Sequence, residues 1–395
     1  MSVEAQPQPA VLDRFRQLRE TRFGAFVPVL LALIAIWIYF GITEPAFISS
    51  RNFYFLFMQS AVVGTLAVGI TIVLLLGDID LSSAANAGVC AALMAVLIVA
   101  DVPGPIACLI AIVLGVILGC AQGVLVAYVG IPAFVVTLAG LLGFQGLMLK
   151  ILGIQGAINM RDPFVRGITT IYLPPAAGWV LAAAVIAIFA FAVLRNQAQR
   201  RDRGLELDPS MAVWGQIAFF AVVVVAAVAT LNSYRGIPLL VVLLVGITAL
   251  LGWVTTSTPF GRSLFAAGGN AESARRVGIN VRHIRVAAFG LVGLMAAIAG
   301  IVGASRYASV SFNAFAGGPL LLEAIGAAVI GGTSLFGGRG SVWNAILGAL
   351  VIGSLGNGLD LSGASAADKL MFSGAILLIA VAIDAVSRSS AAQSR

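Results

Sequence analysis

The sequence predicts an all-α fold, a polytopic transmembrane bundle of about 10–12 helices with some of them broken or re-entrant. Three observations predict it. Sixty per cent of the 395 residues are hydrophobic and 10% are charged, whereas a soluble domain carries roughly a quarter charged residues. Apolar runs of about 20 residues recur along nearly the whole chain, each long enough to cross a hydrocarbon core of about 30 Å as a helix. The polar stretches between these runs are mostly short, and their basic residues are almost all arginine.

The chain divides into a polar tail (1–24), a membrane domain (25–388) and a short C-terminal tail (389–395). The first tail carries Arg14, Arg16, Arg19 and Arg22. No small-residue cleavage site follows it, so the first apolar stretch is expected to be a signal anchor that stays. In order, the apolar segments are 25–41, 54–76, 83–100, 105–129, 132–151, 174–194, 211–231, 236–256, 284–305, 320–336, 341–358 and 368–387. One or two of these are expected to be half-helices.

With both termini on the cytoplasmic side, sixteen basic residues fall inside and seven outside (Arg51, Lys150, Arg161, Arg166, Arg235, Arg306 and Lys369). That excess is what the positive-inside rule requires. The net charge of +7 is therefore a topology signal, spread over short loops rather than gathered into a stripe for nucleic acid. Cys90, Cys108 and Cys120 lie in or beside apolar runs, where they act as small hydrophobes. Neither a disulfide framework nor a metal site is expected. His283 is the only histidine, which removes chemistry that needs two imidazoles. The chain has two lysines, Lys150 and Lys369, and neither stands in the G-x-x-x-x-G-K-[S/T] pattern that cradles nucleotide phosphates. No catalytic residue and no cofactor is expected; any ATP that drives this protein is hydrolysed by another polypeptide.

Two inner connections are long. The run 195–210, R-N-Q-A-Q-R-R-D-R-G-L-E-L-D-P-S, reads as a tether between spans. The connection 257–285 contains A-A-G-G-N-A-E-S-A-R-R-V-G-I-N-V. Asn270 is a good N-cap, Glu272 suits the first turn of a helix, and Arg275 and Arg276 suit the last. Gly278 is then a natural C′ residue. These signals predict a helix of about two turns, too short to be stable alone. It is either a surface helix ordered by its neighbours or a docking helix for a partner subunit.

Polar residues also interrupt the apolar segments. In G-D-I-D-L-S-S at 77–83, Asp78 and Asp80 stand two apart and share no helical face. Asp80 or Ser82 is expected to cap the third span, or this turn lines a pathway. Glu323 lies near the outer end of a span, where an acid costs several kcal/mol unless it faces a cavity or a partner. Arg306 or Tyr307 is the available partner.

Four passages resemble the sugar permeases of bacterial ABC importers of the ribose, xylose and arabinose type: G-D-I-D-L-S at 77–82, G-R-S-L-F-A-A-G-G-N-A-E-S-A-R-R-V-G-I-N-V at 261–281, G-G-T-S-L-F-G-G-R-G-S-V at 331–342 and G-N-G-L at 356–359. With N-S-Y-R-G-I-P at 232–238 the resemblance covers about residues 25–388. The length, the basic 195–210 loop and that last run are closest to the xylose-type members. The family pattern usually has Gly in place of Asp78 and Val-Gly in place of Ser83-Ala84.

The resemblance implies a monosaccharide permease in the bacterial inner membrane that works as a homodimer. It implies a cytoplasmic ATP-binding subunit and an extracytoplasmic sugar-binding protein as partners. It also implies that Gly268, Gly269, Asn270, Glu272, Arg275, Arg276 and Gly278 form the coupling helix that meets the ATPase. Asp78, Asp80, Ser82 and Glu323 are candidates for the translocation pathway. The competing expectation is a secondary transporter driven by an ion gradient, with Asp78, Asp80 and Glu323 carrying the coupling ion.

Overall fold

The computed structural model describes residues 27–382, apart from 206, 208, 316–317, 376–377 and 379–380. The tails therefore lie outside the described residues, as does much of the last apolar segment, of which 366–375 is helical. Among the described residues nine helices are long and apolar enough to cross a membrane, and two shorter apolar helices accompany them. The chain is a polytopic all-α membrane bundle.

The helices are α1 (Val27–Thr43), α2 (Ser50–Leu75), α3 (Ser83–Val99), α4 (Gly104–Val124, continued by a π-helical turn, Leu125–Val129), α5 (Ala133–Leu152), α6 (Pro163–Thr170), α7 (Pro175–Asp202), α8 (Ser210–Asn232), α9 (Leu239–Ser257), α10 (Pro259–Gly269), α11 (Ala271–Arg276), α12 (Val281–Tyr307), α13 (Phe312–Phe315), α14 (Pro319–Ile330) and α15 (Val342–Leu361). Two small antiparallel ribbons lie at one end of the bundle. In one, β1 (Ala157–Asn159) pairs with β4 (Ser309–Ser311). In the other, β2 (Tyr172–Leu173) pairs with β3 (Ile237–Pro238).

The centre is α2, buried along almost its whole length, wrapped by α12, α14 and α15. Lipid offers no hydrophobic drive between helices, so close approach of backbones has to hold the bundle. In α4 the residues Gly115, Gly119 and Gly123 recur at four-residue spacing, and α12 lies directly on that stripe. A Cβ on Gly115 would stand 2.7 Å from the Cβ of Ala297, and one on Gly123 would stand 2.8 Å from the Cα of Val286. Any larger residue on that stripe would push the two helices apart.

Several element boundaries differ from those expected. The run from Arg195 is helical as far as Asp202, which shortens the tether to 203–209. Gln, Ala and Arg are strong helix formers, the basic residues sit where the dipole favours them, and the first breaker is Gly204. The segment 320–336 ends at Ile330, with α14, because Gly332, Gly337, Gly338 and Gly340 take positive φ in the loop that follows. The 257–285 connection contains a further helix, α10, started by Thr258, whose hydroxyl accepts from the N–H of Gly261 at 3.3 Å.

Candidate functional site

α11 is short and capped at both ends. The Asn270 side chain accepts from the N–H of Ser273 at 2.9 Å, which satisfies one of the free donors of the first turn. At the other end Gly278 is left-handed, with φ +86°. Its N–H donates to the carbonyl of Arg275 at 3.0 Å, and that of Ile279 donates to the carbonyl of Ala274 at 3.0 Å. This pair of bonds is a Schellman motif. Ala274 is buried and Ile279 packs on the core, whereas Glu272, Arg275 and Arg276 face outward. Glu272 pairs with Arg275 at 3.7 Å and with Arg276 at 3.4 Å, contacts that contribute little at such exposure. The helix therefore seats one residue and presents a charged outer face.

Gly268 and Gly269 do not belong to that helix. They end α10 and sit where three connections meet. A Cβ on Gly268 would collide with the carbonyl oxygen of Leu75 and would stand 2.9 Å from the N of Gly338. That N–H in turn donates to the Leu75 carbonyl at 2.9 Å. A Cβ on Gly338 would stand 2.9 Å from the Cα of Gly269, and one on Gly337 would stand 2.8 Å from the N of Gly77. Gly77, Gly337 and Gly338 all have positive φ, which a side chain would strain. Three stretches remote in sequence, the 77–82 turn, the end of α10 and the 331–341 loop, thus touch backbone to backbone.

The 77–82 turn continues this junction inward. Arg285, in the second turn of α12, donates through Nε to Asp78 Oδ2 at 2.6 Å and through an Nη to Oδ1 at 3.4 Å. Burial pushes the Asp78 carboxyl above its ordinary range, and the Arg285 guanidinium pulls it back. The carbonyl of Ile79 accepts from the Thr137 hydroxyl on α5 at 3.2 Å. Asp80 Oδ1 accepts from both the N–H and the hydroxyl of Ser82, each at 2.7 Å. Asp80, rather than Ser82, therefore turns its side chain to the start of α3. The Ser82 hydroxyl is also bonded to Gln122 of α4, whose amide donates to it at 2.8 Å.

Asp80, Ser82, Gln122, Asn86 and Thr137 are all buried, so this is an interior polar network and not a solvated turn. Desolvation raises the pKa of the Asp80 carboxyl, against the Ser82 bonds that lower it. The sequence reading passed over Gln122 and Thr137. An amide inside an apolar span, as in G-C-A-Q-G at 119–123, was the signal that could have found Gln122.

Glu323 is apart from all of this. It lies in α14, at the end of the bundle where Asp360 and Tyr307 stand within electrostatic reach. Among the described residues no hydrogen bond or ion pair joins it to Arg306 or Tyr307. Asp360 pairs instead with Lys369. The four pathway candidates are thus not one constellation: three belong to the junction and the fourth to the far end.

Residues 52–381 match the model of the family described as branched-chain amino acid transport system / permease component. The chain is 38% identical over 381 residues, 95% of either chain, to the xylose transport system permease protein XylH of Escherichia coli (strain K12). It is 37% identical over 367 residues, 90% of this chain and 95% of the relative, to XylH of Haemophilus influenzae. It is also 31% identical over 320 residues, 81% of this chain and 74% of the relative, to the autoinducer 2 import system permease protein LsrC of Salmonella typhi. No solved structure matches the chain.

Proposed function

The chain belongs to the family of branched-chain amino acid transport system permease components, and on that premise we propose that it is the membrane permease of an ATP-binding-cassette importer for a monosaccharide. A xylose-like pentose is the favoured cargo, since the relatives matched over nearly their whole length are xylose transport permeases. Transport runs into the cytoplasm across the bacterial inner membrane, with both termini and the 257–285 connection on the cytoplasmic side. Two copies of the permease work with a cytoplasmic ATP-binding subunit and an extracytoplasmic sugar-binding protein. The charge distribution supports this orientation, because the excess of arginine falls on the side given to that connection.

The observation that carries the reading is the construction of α11. A six-residue helix has no stability of its own in water. This one is capped at both ends and seated by Ala274 and Ile279, and α10 before it rests on the backbone of Leu75 and Gly338. Such a rod can receive force from a partner and deliver it to the bundle without first unfolding. In this role Asn270 and Gly278 hold the ends, Glu272, Arg275 and Arg276 form the face met by the ATP-binding subunit, and Gly268 and Gly269 join the rod to the body.

Reconstitution tests the proposal. Proteoliposomes holding the permease and its ATP-binding subunit, supplied with binding protein and xylose, are expected to accumulate sugar only with ATP inside. A permease lacking residues 270–278 is expected to insert normally and to lose uptake. Concentrative uptake by the permease alone under a proton or sodium gradient would instead establish the secondary-transporter reading. Normal uptake by the inserted deletion variant would remove the coupling role from α11.

A further inference from the structure

Four successive residues of the 77–82 turn each engage a different element. Gly77 packs on the 331–341 loop, where a built Cβ would stand 3.1 Å from the carbonyl oxygen of Phe336. Asp78 holds Arg285 of α12. The Ile79 carbonyl holds Thr137 of α5, and Asp80 holds the start of α3. Arg285 is joined to α11 by a short, bonded link. Only 277–280 separate the two helices, and this link is fixed by the Schellman bonds, by the N–H of Val281 on the Ile279 carbonyl at 3.0 Å, and by the Asn280 side chain accepting from the N–H of His283 at 3.2 Å.

We infer that the Asp78–Arg285 ion pair is the link through which displacement of α11 reaches the buried starts of α3 and α5, which makes Asp78 and Arg285 positioning residues for transport. The inference rests on the proposed coupling role of α11. The guanidinium meets the carboxylate through two nitrogens, so the contact fixes orientation as well as distance. Asp78 is only 12% exposed and Arg285 24%, so salt screens the pair far less than it screens Glu272 with Arg275 and Arg276. Beyond the pair, the route runs on through bonds already described, from Asp80 to Ser82 and from Ser82 to Gln122, inside the bundle. Nothing along it requires Asp78 to touch the sugar or to carry an ion.

The test compares sugar moved per ATP hydrolysed in the reconstituted complex of permease, ATP-binding subunit and binding protein, with xylose as the probe. Single substitutions leave a half-buried charge alone and can fail to fold. The deciding variant is therefore the double change Asp78→Asn with Arg285→Gln, which leaves no lone charge. It is expected to insert, to retain the ATP-binding subunit and to hydrolyse ATP, while uptake per ATP falls about tenfold, inside the range that couplings between sites span. The reversed pair, Asp78→Arg with Arg285→Asp, is expected to recover most of that ratio.

A ratio within about twofold of the parent in the neutral variant would overturn the link, even if hydrolysis and uptake fell together, because a merely structural pair lowers both alike. A parent complex that hydrolyses no ATP and moves no xylose would overturn the inference together with the function on which it stands. That failure would already show in the unsubstituted protein.

Discussion

The chain has two long basic connections, 195–210 and 257–285, and the bundle treats them in opposite ways. The first belongs to the hairpin of α7 and α8, which stack on each other through Phe189 and Phe220, 4.1 Å between ring centroids, and touch the rest of the bundle sparingly. Ile188, Phe191, Trp214 and Val222 stay exposed on its sides. A Cβ on Gly204 or Gly215 would meet nothing within 4 Å. The second connection folds back on the body, and at Gly268 there is no room even for a methyl group. Both connections are rich in arginine. What separates a tether from a site is the backbone contact behind it.

The largest effect expected from this difference comes at its tightest point. Gly268→Val places side-chain atoms against the Leu75 carbonyl, so it should destabilise the purified protein by about 1–3 kcal/mol, the usual cost of overpacking, and abolish uptake. The matching change in the hairpin, Gly215→Ala, adds a good helix former in open space and should raise stability by roughly 0.5–1 kcal/mol with uptake intact. Thermal unfolding of both variants is the measurement, and equal midpoints would erase the distinction between the two regions.

A smaller effect sharpens the account of the junction's interior. The buried Asp80 carboxyl holds its proton more tightly than it would in the unfolded chain, because desolvation raises its pKa. The sign follows: this group's contribution is most favourable below the unfolded value and is lost as pH rises through the raised folded value. Asp80→Asn keeps an oxygen for Ser82 and removes the charge. The fall in stability as pH rises above the ordinary carboxylate range should then shrink. Parallel melting curves for parent and variant across pH would refute the assignment.

The most local effect is expected at the rod. Asn270→Ala removes the bond to the Ser273 N–H and should cost about 1 kcal/mol locally, seen as faster amide exchange over 271–276 with no change in the exchange of α12. If α12 loosened equally, α11 would not be a separately capped unit.

These contrasts also measure how much could be read before the fold was seen. Asn270, Gly278 and the boundaries of α11 were legible because capping is decided within a few residues of the chain. The spans were legible because apolar length is a local property. α10 was missed, since P-F-G-R-S-L-F-A-A-G-G carries two terminal glycines and reads as loop. The start of the tether is not legible from polarity, because residues 195–202 are polar and yet favour the helix that runs to Asp202. Gly77, Gly268, Gly337 and Gly338 were visible as motifs, yet nothing in the sequence says that they touch. Asp78 is a visible acid in the sequence, but nothing local names its partner, Arg285, 207 positions away.

By itself, then, the sequence determined that this is a multi-pass membrane protein, broadly where its apolar segments lie, and that the 257–285 connection holds a capped helix. Composition, apolar length and cap chemistry act over one to twenty residues. Only the tertiary structure decided that three glycine-bearing connections form one junction, that Asp78 binds Arg285, and that Asp80 with Ser82 joins a buried network around Gln122. Each of these depends on which helices pack together. Without a hydrophobic drive between helices, that choice is made by close fit and interior polar bonds.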